Sequence, residues 1–129
     1  MWPLLLLVTT AALVLLLVWY GLHKRRRLHA RLAARAWAQW EKLLEIADPS
    51  RRVLEAESIL DRVFRDRGYR GTFGEKLKRM QKILPNIDAV WHAHKLRNRI
   101  AHEPGIRMRE EEVQGALSAF EKALKTLLS

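Results

Sequence analysis

The chain has 129 residues, enough for one small domain and a membrane anchor, and its formal net charge is +10. It contains no cysteine, which excludes disulfides, thiolate catalysis and cysteine-based zinc sites. The charge is uneven: residues 24–35 contribute +6 and residues 36–129 only +4. The high isoelectric point therefore does not by itself indicate a nucleic-acid partner.

The first element is an apolar run over residues 2–20, which carry no charge. As a helix this run spans roughly 28 Å, close to the hydrocarbon thickness of a bilayer. Trp2 lies at one end and the Trp19-Tyr20 pair at the other, where an aromatic belt is expected. A cleaved signal peptide would need basic residues before the run, whereas here they follow it. Residues 1–22 are therefore predicted to be a transmembrane anchor.

A basic juxtamembrane helix is predicted over residues 23–48, because residues 28–47 contain no glycine or proline. By the positive-inside rule, its first basic residues place the C-terminal side in the cytoplasm and the N-terminus outside, as in a single-pass protein of the cell membrane. They should also contact anionic headgroups of the lipid bilayer. These membrane-surface residues are Lys24, Arg25, Arg26 and Arg27.

An apolar stripe on the same helix is expected to pack on the rest of the domain or on a second copy of the chain. Its members recur at spacings of three and four: Trp37, Trp40, Leu43, Leu44 and Ala47.

Residues 49–129 are predicted to form a compact helical domain, so that the chain is all-α, a transmembrane helix followed by a small bundle of four to five helices. Turn residues divide this part of the chain, and helices are expected over 51–67, 73–84, 87–102 and 109–128. Asp48 or Ser50 should cap the first of these helices and Thr72 the second, whose inward residues would be Leu77, Met80, Ile83 and Leu84. No stretch alternates with period two for long enough to form a strand.

Five polar residues fall on or beside the predicted core faces of two helices when their positions are placed at 100° intervals. Burial of an unpaired charge is expensive, so the inward glutamate should contact Arg97, His94 or His102. The nearby Glu55 should face solvent. The five inward residues are Glu57, His94, Arg97, Asn98 and His102.

The segment 94–103 contains the pattern Arg-Asn-x-x-x-His. It resembles the signature of the HEPN superfamily (higher eukaryotes and prokaryotes nucleotide-binding), helical domains with an arginine, four to six residues, then a histidine. The stretch from about residue 53 to 124 also resembles the soluble part of small bacterial membrane proteins. The matching elements are Gly-Glu-x-Leu-Lys at 74–78 and Trp-x-x-His-Lys-x-Arg-Asn-x-Ile-Ala-His at 91–102.

The resemblance implies RNA or nucleotide binding and, in catalytic members, metal-independent RNA cleavage with two motifs meeting across a homodimer. The matching catalytic positions are Arg97, Asn98 and His102, with Glu57 and His94 as a supporting polar network. Arginine suits the scissile phosphate, and histidine suits transfer of the 2′-hydroxyl or leaving-group proton.

The sequence also bears on cofactors, metals and an alternative function. No cofactor is expected. No metal site is expected, because the rings of His92 and His94 point to different sides of a helix. A non-catalytic, membrane-tethered interaction or scaffold module, in which the motif is only a structural polar network, is the alternative function.

Overall fold

The computed structural model describes all residues from 1 to 129 and is all-α, with five helices and no strand. This confirms the predicted fold class. The chain divides into two compact units, residues 1–33 and residues 34–129. The helices are α1 (Trp2–Leu44), α2 (Pro49–Asp66), α3 (Phe73–Arg79), α4 (Ile87–His102) and α5 (Glu110–Leu128).

The first unit is the apolar and then basic part of α1. Every large apolar side chain between Trp2 and Leu22 is more than half exposed, so no other part of the chain covers this surface. In length and composition the helix is sufficient to cross a membrane.

The second unit is a helical bundle in which α2, α4 and α5 pack against one another and α3 packs on α4. In α2 and α5 the buried residues recur at spacings of three and four, which gives each helix a single apolar face. The largest fully buried side chains of the common core are Phe64, Phe120, Leu43, Leu60, Leu77, Met80, Leu84 and Leu124.

The last turns of α1 belong to the core of the second unit. Trp40 and Leu43 are buried there, as is Ala36, which confirms that the tryptophan stripe packs on the domain. Leu44 and Ala47 are exposed, contrary to the prediction. Ala47 lies beyond the end of α1, where the chain tightens into a turn and the helical spacing no longer holds. Leu44 is the last residue of α1, and its side chain faces solvent beside the buried Leu43.

Helices α2 and α3 begin as their sequences predict. Asp48 accepts a hydrogen bond from the backbone N–H of Ser50 at the start of α2. At the start of α3, Thr72 and Glu75 form a capping box in which each side chain accepts from the backbone N–H of the other residue.

Helix α3 is shorter than predicted, because it ends at Arg79 and not at Leu84. The backbone N–H of Met80 bonds to the carbonyl three residues earlier, and Leu84 precedes a proline, which disfavours helical backbone at that position. Residues 80–83 therefore form turns. Met80 and Leu84 stay buried, but Ile83 points outward with 46% of its surface exposed, so its predicted inward placement is wrong.

Candidate functional site

Helices α2 and α4 bring a buried carboxylate against two basic side chains. Glu57 is only 5% exposed. Its Oε2 lies 2.8 Å from Nδ1 of His94, and its Oε1 lies 3.1 Å from Nε of Arg97. The predicted contact of Glu57 is thus confirmed for His94 and Arg97. Both carboxylate oxygens have a partner, which is the condition for keeping this charge inside a small domain.

Asn98 closes these contacts into a ring of four side chains. Its Oδ1 accepts a hydrogen bond from Nη1 of Arg97 at 3.4 Å, and its Nδ2 lies 3.3 Å from Nε2 of His94. Matching donors to acceptors assigns the imidazole hydrogen to Nδ1, which donates to Glu57, and makes Nε2 the acceptor for the Asn98 amide. We call this closed arrangement of Glu57, His94, Asn98 and Arg97 the polar ring.

Arg97 is held in the polar ring along one edge only. Its contact with Glu57 is an ion pair, since the Nε–H is not aligned for a hydrogen bond. The side chain retains 35% of its exposure, against 7% for that of Glu57. The guanidinium is therefore fixed in position while part of it faces solvent.

The two sequence elements of the resemblance meet at His94. The ring of Phe73, the first residue of α3, lies 5.0 Å from the His94 ring, and Trp91 presents an edge to the same ring at 5.8 Å. A Cβ added at Gly74 would come within 3.5 Å of Trp91 and 3.8 Å of His94 Nε2. The imidazole of His94 is thus packed between the ring of Phe73 at the start of α3 and the ring of Trp91 on α4.

His102 lies outside the polar ring. It is the last residue of α4 and is exposed, as are Ala101 and Glu103 beside it, so its predicted inward placement is wrong. The angle of a residue around the helix axis gives the side of the helix on which it lies. The angle does not tell whether other helices still pack against that side at that position along the axis. Ile100 still packs against the core, whereas the final two residues of α4, Ala101 and His102, are not covered.

No family model, curated protein or solved structure matches the chain. The HEPN-like interpretation therefore rests on the Arg-Asn-x-x-x-His pattern of the sequence and stays a prediction.

A second buried ion pair was missed in the sequence. Lys76 on α3 is only 2% exposed, and its Nζ lies 2.7 Å from Oδ1 of Asp61 on α2. Asp61 also contacts Arg65, one turn further along α2, at 3.4 Å. The signal was present, because Lys76 lies between Phe73 and Leu77 at the spacing of the buried face of α3.

A groove of about 450 Å³ runs between α4 and α5. Three exposed basic residues of α4 line one side: His92, Lys95 and Arg99. Glu112 lines the other side, and its pKa is lowered mainly by the hydrogen bond from the Arg109 backbone N–H and further by the Arg109 and Arg99 charges, against a smaller opposing effect of desolvation.

Neither Arg97 nor His102 lines this groove or the second groove, between the end of α1 and α2. Arg97 is partly exposed and His102 is exposed, so both side chains reach solvent at the surface of the second unit.

Proposed function

We propose that the chain is a membrane-anchored helical domain of HEPN type that binds RNA or a nucleotide at the cytoplasmic face of the cell membrane. The observation that carries this proposal is the fixed and partly exposed guanidinium of Arg97. A guanidinium oriented along one edge keeps further N–H donors for a phosphate, and its planar geometry favours bidentate binding.

The anchor in this proposal is the uncovered apolar part of α1. Its large side chains face outward on all sides, which suits a lipid environment and would be unusual for a helix in water. The block Lys24–Arg27 follows directly and orients the second unit toward the cytoplasm, where RNA and nucleotides are found.

RNA cleavage is proposed for this surface only in a homodimer. Within one chain Arg97 and His102 lie five residues apart on α4, about 140° apart around the helix axis, so they do not converge on one phosphate. A second copy would bring its own His102 toward the Arg97 of the first. The partner's His102 would then take the 2′-hydroxyl proton as that oxygen attacks phosphorus, Arg97 would stabilise the charge on the phosphate, and water would protonate the leaving 5′-oxygen, giving a cyclic phosphate and a 5′-hydroxyl.

The proposal is tested with the full chain in lipid nanodiscs, mixed with a pool of RNA at low salt in the presence of EDTA. We expect the wild type to bind RNA and Arg97→Lys to bind about tenfold more weakly, because a point charge does not reproduce a bidentate contact. If the dimer cuts RNA, His102→Ala should lower the rate by at least ~100-fold. His92→Ala is the matched control, since it removes an exposed histidine of the same helix outside the motif.

A non-catalytic interaction module is the second candidate, and the closed polar ring favours it. All four side chains of the ring find partners within the chain, as they would if the motif only fixed the packing of α2 on α4. This candidate predicts that Arg97→Lys destabilises the domain and that His102→Ala has no effect. A folded wild-type chain that neither binds nor cuts RNA or nucleotides at low salt would contradict the RNA-binding function and leave the interaction module as the remaining candidate.

A further inference from the structure

The charge of the second unit is concentrated in one segment. Residues 62–82 contain eight basic and two acidic residues, a net charge of +6. The remaining residues of 36–129 contain ten basic and twelve acidic ones, a net charge of −2. The end of α2, the loop after it, α3 and the following turn are therefore the most basic stretch of the second unit. Asp61, directly before this stretch, pairs with two of its basic residues, Arg65 and Lys76.

Five basic residues of this segment are exposed and have no carboxylate within 4.0 Å. One, Arg67, donates a hydrogen bond to the backbone carbonyl of Leu127, and the other four are Arg70, Lys78, Arg79 and Lys82. We call these four the basic face. Arg79 donates a hydrogen bond to the backbone carbonyl of Arg70 at 3.5 Å, which joins the loop before α3 to the end of α3. The helix dipole favours Lys78 and Arg79 in the last turn of α3, but it does not account for Arg70 and Lys82.

An exposed apolar side chain follows directly after the basic face. Ile83 is 46% exposed and, beyond the apolar part of α1, is one of few large apolar residues in that condition. Unpaired basic residues beside an exposed aliphatic one suit a lipid interface, where the charges meet headgroup phosphates and the side chain enters the acyl boundary. An RNA backbone would use the charges but not Ile83.

The proposed anchor holds the second unit near the headgroup surface of the membrane. About fourteen positions of α1 separate Tyr20 from Ala34, the first residue of the second unit, and as helix they rise only about 21 Å, so the unit begins close to the headgroups. Tethering makes contact with the bilayer an intramolecular event, which favours docking through individually weak contacts.

We propose that the basic face, with Ile83, docks the second unit onto the anionic phosphate surface of the membrane that α1 crosses. This inference rests on the proposed anchor and adds a second membrane contact to it. Docking holds the domain against the bilayer through α3 and the turn after it, and it depends on anionic lipid and on low ionic strength.

The test uses the absence of cysteine, which permits single labels. Gln81→Cys beside the basic face and Gln114→Cys on α5 each carry a fluorophore in an exposed position. The full chain is placed in nanodiscs of phosphatidylcholine, with or without phosphatidylglycerol, that also contain a headgroup-linked nitroxide quencher. We expect stronger quenching at position 81 than at position 114 only when phosphatidylglycerol is present, and loss of the difference at high salt.

Charge variants decide whether the basic face is responsible. Lys78→Gln with Lys82→Gln should lower the ratio of docked to undocked domain about 30-fold, since each near-surface basic residue contributes about fivefold. Lys122→Gln with Lys125→Gln removes the same charge from α5 and should leave the quenching unchanged.

The outcomes separate this inference from the proposed function. A chain that does not stay in the discs overturns the anchor and the docking together. An anchored chain with equal quenching at positions 81 and 114 in both lipids overturns the docking alone. So does a label at position 81 that responds to added polyuridylate and not to phosphatidylglycerol, which would assign the basic face to RNA.

Discussion

Glu57 is a carboxylate inside a domain of fewer than a hundred residues, and its two neighbours on α4 explain how it is accommodated. His94 takes one oxygen and Arg97 the other, and Asn98 links the two bases to each other. The four side chains act as one unit because each fixes the orientation of the next. A change at any one of them therefore leaves a partner unpaired in a partly buried place.

Glu57→Ala should lower the free energy of unfolding of the full chain in detergent by about 3 kcal/mol. That is the lower end of the range for breaking a buried ion pair, because Arg97 is about one-third exposed and regains water. Glu55→Ala, two residues away on the exposed side of α2, should change it by no more than about 0.5 kcal/mol. Denaturant unfolding followed by circular dichroism measures both, and equal losses would contradict the structural role of the ring.

At the scale of elements, α3 is the helix most dependent on its ends. Seven residues are too few for a stable helix in isolation, so the capping box and the packing of Phe73 and Leu77 hold it in place. Gly71 precedes the cap with φ of +104°, and a Cβ there would collide with the Glu75 carboxylate that accepts from Thr72. The loop before α3 thus requires glycine for both its backbone and its space.

Two glycine substitutions should therefore have opposite signs. Gly71→Ala should destabilise the domain by about 1–3 kcal/mol through backbone strain and loss of the capping box. Gly115→Ala lies inside α5 with open space around it and should stabilise the domain by about 0.5–1 kcal/mol, since alanine favours helix. Thermal unfolding of both variants beside the wild type gives the comparison. A Gly71→Ala variant as stable as the wild type would show that the loop is not constrained as described, and a destabilised Gly115→Ala variant would contradict the open space on α5.

At the scale of the whole molecule, sequence periodicity was sufficient to predict the all-α fold, but it predicted the placement of the site residues only in part. Turn residues and apolar spacing predicted five helices, and the inward angle of Glu57 predicted its contact with α4. Ile83 and His102 were misplaced because a helical angle is meaningful only while the helix continues and stays covered. Lys76 was missed because lysine is normally exposed, and its carboxylate partner lies on another helix.

The assembly of the chain is not given by these features. Self-association through the membrane span, or through a surface that includes His102, stays a prediction, and the cleavage chemistry depends on it. Both RNA binding and cleavage also require the second unit to face the cytoplasm, so the orientation of α1 is the condition on which the whole proposal depends.

Orientation is measured most directly by reporters fused after Ser129 in living bacterial cells. With Lys24–Arg27 next to the apolar run, a fused fluorescent protein should be bright and a fused alkaline phosphatase inactive, because the positive-inside rule predicts a cytoplasmic C-terminus. Replacing these four basic residues with glutamine should reduce that preference. An active phosphatase on the unaltered chain would place the domain outside the cell and contradict both the membrane topology and the RNA-binding function.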